Sequence, residues 1–362
     1  MKIVIFAGGT GRRLWPISRQ SSPKQFEPII HGKSTLQLSI DRVRDTYGMA
    51  NIFVSTNERY AELIQNQLPA LPEKNLIAEP ARRDLAAAVG LAMVHMLARF
   101  GPNEAVAIIW GDNYMTDEKA FLGLLKSAEG ILEQKAADIV FVGETPRFAN
   151  DNLGWIELGN KLGVQNNNPY HEFESWHYRP ELEVCERMFA SGNFVWNTGY
   201  FVTTPGFIAK SYELYQPAMW RELMSIGAVI GDAEYETTLH RIYPNMEIIS
   251  FDDAVVQKMP TESCVVLHGV TGWSDPGTLY ALKESVNPDP DSNAIQGSVI
   301  ALNSRDCLLY NYEEGKLLAA AGLDGMIVVN TADAIVVVHK DHIKQVKQLV
   351  NGLEGTELEK YS

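Results

Sequence analysis

Ile3-Val4-Ile5-Phe6-Ala7-Gly8-Gly9-Thr10-Gly11-Arg12-Arg13-Leu14-Trp15-Pro16 is an apolar run that empties into a turn with three glycines and two arginines. Ser22-Pro23-Lys24-Gln25-Phe26 follows and adds a lysine. The apolar run reads as a buried strand. Glycines let backbone N–H groups approach a polyphosphate closely, because no Cβ stands in the way. Arg13 and Lys24 then supply positive charge where a phosphate becomes a leaving group. No Gly-Lys-Ser/Thr follows, so the turn is not a P-loop. The third glycine of the dinucleotide pattern is missing, which disfavours a nicotinamide oxidoreductase.

The rest of the chain must supply a scaffold for that turn. At 362 residues, the length suggests about two domains, and 46% hydrophobic content is ample for a core. A net charge of −14 argues against a nucleic-acid or anionic-membrane partner. Against that background Arg12, Arg13, Arg19 and Lys24 form a local cationic cluster beside the glycines, as an anion site would. Met1-Lys2 leads straight into strand residues without a leader, and no apolar run reaches membrane-span length. Cys185, Cys264 and Cys307 lie far apart and fit no metal spacing, so they read as free thiols in a reducing cytoplasm. His339 and His342 have no evident third ligand and read as surface residues.

Strand-like and helix-like segments alternate over the first ~150 residues. Asn51 to Thr56 reads as a strand, Tyr60 to Leu68 as a helix and Leu85 to Phe100 as a stronger helix stopped by Gly101-Pro102. Ala105 to Trp110 is a continuous apolar run, as in a central parallel strand. Phe121 to Lys135 reads as a helix and Asp138 to Gly143 as another strand. A mixed stretch from Leu153 to Val202 contains a short helix, Glu181 to Ser191. Phe207 to Tyr243 is largely helical, and Ser263 to Leu267 is a strand. The pattern predicts an α/β fold with a Rossmann-like, mostly parallel mixed sheet, whose ligands sit at the carboxyl ends of the strands.

Asn287 to Asn293, with two prolines and no periodicity, is the clearest linker. Beyond it, five short strand-like runs between Ser298 and Val338 suggest a small β-solenoid or β-roll. A last helix over about 343–353 would place Ile343, Val346, Leu349, Val350 and Leu353 on one face. The expected division is a larger domain over 1–286 carrying the glycine turn, and a β-rich domain with a terminal helix over 294–362.

A-G-G-x-G-x-R-L followed about ten residues later by S-P-K-Q-F resembles the sugar-1-phosphate nucleotidyltransferases. Within them, Trp15-Pro16 and Pro23 to Phe26 look like the mannose-1-phosphate guanylyltransferases. The resemblance implies a nucleotide-diphospho-sugar transferase fold. It also implies transfer of GMP from GTP to mannose 1-phosphate, giving GDP-mannose and pyrophosphate. Such a reaction joins two anions, so positioning and charge neutralisation are the remedy. Magnesium wants hard oxygen ligands and keeps several waters, so one or two carboxylates suffice.

The implied roles fall on residues of this chain that match the family's motifs. Ala7, Gly8, Gly9 and Gly11 cradle phosphates, Arg13 stabilises the pyrophosphate leaving group, and Lys24 orients the α-phosphate. Asp112 ends the central apolar run, and Asp275 stands in Gly272-Trp273-Ser274-Asp275-Pro276-Gly277. The resemblance makes this pair the Mg²⁺ ligands, with Asp112 also at the nucleotide. Glu79-Pro80 matches the segment that approaches guanine, where a carboxylate accepts from N1–H and the exocyclic amine together. Gly154 and Asn197 match the sugar-contacting positions, and Arg179 matches the cation that grips the sugar phosphate. Trp196 reads as core. Leu318 to Ala334 resembles the family's C-terminal segment, and by family analogy the C-terminal domain over 294–362 mediates self-association as a homodimer. Longer relatives carry an added isomerase domain, and that second activity is not expected here.

The chain departs from the family pattern at Arg82, Asp84 and Leu85 after Glu79-Pro80, at Gly111 and Asn113 around Asp112, at Tyr178 where a carboxylate is usual, and at Arg179 where a lysine is usual. They keep two alternatives open. One is a nucleotidyltransferase for another triphosphate and sugar-1-phosphate pair. The other is a catalytically silent regulatory homologue that binds nucleotide sugar.

Overall fold

The N-terminal apolar run forms β1 (Lys2–Phe6). In this computed structural model, which describes residues 1–8, 14–19 and 22–362, the same sheet also contains eight later strands. These are β2 (Ile52–Asn57), β3 (Leu76–Glu79), β4 (Val106–Trp110), β5 (Ile139–Glu144), β6 (Gly154–Gln165), β7 (Asn168–His177), β8 (Phe194–Thr203) and β9 (Cys264–Gly269). The strand order is β3-β2-β1-β4-β8-β5-β9-β7-β6. β3, β2, β1 and β4 pair in parallel, as do β5 and β9. β8 runs against β4 and β5, and β7 runs against β9 and β6. β6 also pairs back onto β8, so the second half of the sheet closes into a ring of pairings. The mostly parallel mixed sheet expected from the alternation is therefore present.

Burial explains the strand compositions. Val106, Ala107, Ile108 and Ile109 of β4 have no exposed surface, which is why the run is apolar on both faces. The helix Asp84–Phe100 buries every residue from Ala86 to Met96. It packs against the helices Pro205–Tyr215 and Pro217–Gly227. At Gly90 an added Cβ would stand 2.3 Å from Leu223 Cδ1, so the contact requires the missing side chain. Pro205 occupies the first turn of its helix and Thr204 caps it, its hydroxyl accepting from Phe207 N at 3.2 Å.

Contacts divide the chain into two compact units. One comprises Met1–Phe6, Ile40–Trp110 and Met115–Trp273, and contains the nine-stranded sheet. The other comprises Ala7–Ser39, Gly111–Tyr114 and Ser274–Ser362. In this second unit β10 (Ala294–Gln296), β12 (Leu308–Asn311) and β14 (Met326–Asn330) stack in parallel. β11 (Val299–Leu302) and β13 (Leu318–Ala321) form a second parallel face, and β15 (Ile335–His339) closes the first face antiparallel to β14. This is the small solenoid that the strand spacing predicts. Its interior carries an asparagine ladder, in which Asn330 Nδ2 donates to Asn311 Oδ1 at 2.7 Å. Leu14, Ile17, Ile29 and Ile30 join Leu308, Tyr310 and Val329 in one apolar cluster.

Two helices, Thr35–Tyr47 and Leu279–Val286, stand in stretches to which the sequence reading assigns no element. The second is fastened to the solenoid through buried Asp306, which accepts from Lys283, Lys340 and Tyr280. Burial opposes the charge of Asp306, but these donors hold its pKa below the usual carboxylate value. The terminal helix is shorter than expected, Gln345–Asn351, and buries Val346 and Val350 while Leu349 is 58% exposed. The three cysteines are buried and free. Among the described residues, no helix is long and apolar enough to cross a membrane.

Candidate active site

The glycine turn leaves β1 at Ala7, which is buried, and Gly8, which is exposed. Among the described residues, an ideal Cβ at Gly8 would meet nothing within 4 Å. Gly9, Gly11 and Arg13 lie outside the described residues.

Lys24 opens a short 3-10 turn, Lys24–Phe26, directly after Pro23. Its side chain is buried, yet its ammonium stands 3.0 Å from Asp112 Oδ2 and 3.0 Å from Asp275 Oδ1. Three residues up to 251 apart in sequence thus converge within the second unit. Burial works against the charge on Lys24, but the two carboxylates outweigh it and raise its pKa well above the ordinary lysine value. Asp112 follows the end of β4, and Thr35 Oγ1 donates to the carbonyl of the preceding Gly111 at 2.9 Å. The segments bearing the two aspartates are zipped together: Tyr114 N donates to Ser274 O at 3.0 Å, and Ser274 N to Tyr114 O at 2.9 Å. Asn113, one of the departures from the family pattern, is buried beside Asp112.

The segment leading to Asp275 has its own anchor in the first unit. Glu144, fully buried at the end of β5, accepts from Thr271 N at 3.0 Å, Thr271 Oγ1 at 2.6 Å and Gly272 N at 3.0 Å. Burial nonetheless pushes its carboxyl upward. Arg147 pairs with Glu144 at 3.1 Å and donates to Trp273 O at 3.0 Å. Sequence reasoning misses Glu144. The only signal is an acidic residue ending an otherwise apolar run.

Glu79 is the last residue of β3. Its Oε2 accepts from the hydroxyl of buried Tyr243 at 2.5 Å. Burial raises its carboxyl to about 7, against the pull of Tyr243 and nearby Arg82. Pro80 follows, and Asp84 then adopts φ +62 and accepts from Leu85 N at 2.8 Å. Asparagine and aspartate are the side chains that best tolerate that backbone region. Asp84 therefore meets the demand of this backbone turn.

Gly154 opens β6 opposite Asn197 of β8, and a Cβ on Gly154 would sit 3.4 Å from both Asn197 Cβ and Nδ2. Asn197 Oδ1 accepts from Gly199 N at 2.8 Å. Gly199 has φ +76, and a Cβ there would fall 2.1 Å from Trp110 Nε1. Trp196 is buried, as read from sequence. Arg179 lies two residues past β7 with φ +45, exposed, its guanidinium 5.3 Å over the ring of Tyr178. Tyr178 is itself 73% exposed. The structure thus brings Gly154 and Asn197 into register, and it leaves Arg179 on the surface.

Residues 2–291 match the nucleotidyl transferase family, and residues 297–353 match the MannoseP isomerase/GMP-like beta-helix domain. A mannose-1-phosphate guanylyltransferase of Klebsiella pneumoniae is 30% identical over 365 residues, covering 99% of this chain and 75% of its own. Mannose-1-phosphate guanylyltransferase 2 of Escherichia coli O157:H7 is 29% identical over 360 residues, covering 97% and 73%. A crystal structure described as mannose-1-phosphate geranyltransferase from Thermus thermophilus superposes with a TM-score of 0.85 at 26% identity, covering 98% of this chain and 99% of that one. This chain belongs to the nucleotidyl transferase family and is a nucleotidyltransferase enzyme.

Proposed function

We propose that this enzyme transfers GMP from GTP to mannose 1-phosphate, releasing pyrophosphate. The observation that carries the reading is the buried Lys24 ammonium held between Asp112 and Asp275. A permanent cation beside two carboxylates suits a reaction whose barrier is anion repulsion. The donor set also suits a magnesium ion. Both aspartates keep solvent contact, at 36% and 26% side-chain exposure, so waters can complete an octahedral shell. Among the described residues no group of three or more acidic, histidine or cysteine ligands occurs, which disfavours a closed structural site. A bound Mg²⁺ held by Asp112 and Asp275 would neutralise phosphate charge.

The chain's own residues do the remaining work. The glycine turn of Gly8, Gly9 and Gly11, entered from Ala7, presents backbone N–H groups to the phosphates. Arg13 stabilises the departing pyrophosphate, and Lys24 orients the α-phosphate for in-line attack. Glu79, beside Pro80, reads the guanine, Gly154 and Asn197 meet the sugar, and Arg179 meets its phosphate. The attacking phosphate oxygen is already anionic, so no general base is needed.

The test is pyrophosphate release from four nucleoside triphosphates, each with mannose 1-phosphate or glucose 1-phosphate and Mg²⁺. Turnover confined to GTP with mannose 1-phosphate is the expected result. Turnover with another pair would reassign the base or the sugar. No turnover with any pair would overturn the GTP and mannose 1-phosphate assignment and move the acceptor to a sugar phosphate outside the panel.

A further inference from the structure

Among the described residues, Tyr243 is the one side chain that hydrogen-bonds the Glu79 carboxylate. It heads the short 3-10 turn Tyr243–Asn245, with no exposed surface. That turn is tied from the other side by Arg83, whose guanidinium donates to Pro244 O. The charged and titratable groups facing the pair are Arg82 near Glu79, and Arg83 and Tyr212 near Tyr243. Both residues belong to the same compact unit.

We propose that Tyr243 is a positioning residue for base selection, whose hydroxyl fixes the rotation of the Glu79 carboxylate and commits it to accepting. The inference rests on the reading of Glu79 as the acceptor for guanine. Guanine offers N1–H and its 2-amino group side by side, so both carboxylate oxygens must lie in the base plane and neither can carry a proton. A carboxyl that rotates freely loses that alignment. One that is protonated sets donor against donor. Burial takes Glu79 to about 7, so its charge near neutrality depends on the Tyr243 donor and on Arg82. The ionised form exists above the pKa and is lost as pH falls, so GTP binding weakens toward acid. Removing the hydroxyl moves that loss to higher pH.

The experiment is the KM for GTP and for inosine triphosphate, which lacks the 2-amino group, measured from about pH 6 to about pH 9. Wild type, Tyr243→Phe and Glu79→Gln are compared, with thermal melts to verify folding. Tyr243→Phe keeps the buried ring. Its GTP KM should rise about tenfold at the acid end, which is one pKa unit, and converge on wild type at the alkaline end. Its preference for GTP over inosine triphosphate should narrow at neutral pH. Glu79→Gln should raise the GTP KM at every pH and flatten the profile. A Tyr243→Phe profile parallel to wild type would overturn the inference while leaving Glu79 its role. A GTP KM untouched by Glu79→Gln would overturn the base-acceptor reading itself, and the role of Tyr243 with it.

Discussion

Lys24 keeps its charge in a buried site because two aspartates stand 3.0 Å from its nitrogen, and the dependence runs both ways. Without the ammonium, Asp112 and Asp275 converge with like charge and less compensation. Lys24→Met should therefore melt below wild type in metal-free buffer. Millimolar Mg²⁺ should recover part of that loss, while pyrophosphate release stays down by about a hundredfold or more. Paired melts with and without the metal check this, and a variant as stable as wild type in chelator would remove the argument. Asp275→Asn keeps the shape of the side chain but weakens it as a cation ligand. It should abolish turnover with the fold intact by circular dichroism, and near-normal activity would sink the metal assignment.

At the scale of elements, the loops after strands matter more than the strands. Gly272 has φ +66, and a Cβ there would lie 1.9 Å from Thr116 Oγ1. Gly272→Ala should cost about 2 kcal/mol or more, measured by urea unfolding. Glu144→Ala strands the Thr271 and Gly272 amides without their acceptor and should cost about 3 kcal/mol. A loss under about 1 kcal/mol in either variant would mean that the loop relaxes freely. These anchors also mark where the sequence stops being legible. The run at β4 can be read because a strand buried on both faces must be apolar throughout. The glycine turn, Asp112 and Asp275 are legible because they sit at strand ends or in recognisable motifs. Tyr243 and Glu144 are not, since their partners lie 164 and 127 residues away and nothing local distinguishes them from ordinary aromatic and acidic positions. The reversal of β8 is equally hidden, because strand direction is settled by pairing across the sheet. Helix Thr35–Tyr47 is legible in principle, since Leu36, Ile40 and Val43 recur at helical spacing and are buried, but the sequence reading passes over it.

At the scale of the whole molecule, two buried histidines couple folding to pH. His95 is buried against Tyr235, its ring nitrogen 2.7 Å from the hydroxyl, and burial lowers its pKa to about 4. His268 is lowered to about 4 by burial and by neighbouring His171. Both are neutral in the fold but take up protons near pH 6.5 once unfolded. Their contribution is complete above that value and is lost progressively as pH falls toward 4, at about 1.4 kcal/mol per pH unit for each proton. Glu79, raised to about 7, and Asp252, raised to about 6, act with the opposite sign over the same range, so the readout is a difference: relative to wild type, His95→Gln should gain melting temperature as pH falls from about 6.5 toward 4, and parallel curves would count against the assignment. The unit that carries Lys24, Asp112 and Asp275 is assembled from three separate stretches of chain, the last beginning at Ser274. During synthesis, Lys24 and Asp112 emerge first, and strands β5 to β9 of the large sheet follow before Asp275 leaves the ribosome. A nascent or prematurely terminated chain can therefore form much of its sheet and still lack half of its carboxylate pair. The order of synthesis alone therefore makes this carboxylate pair a late feature of the fold.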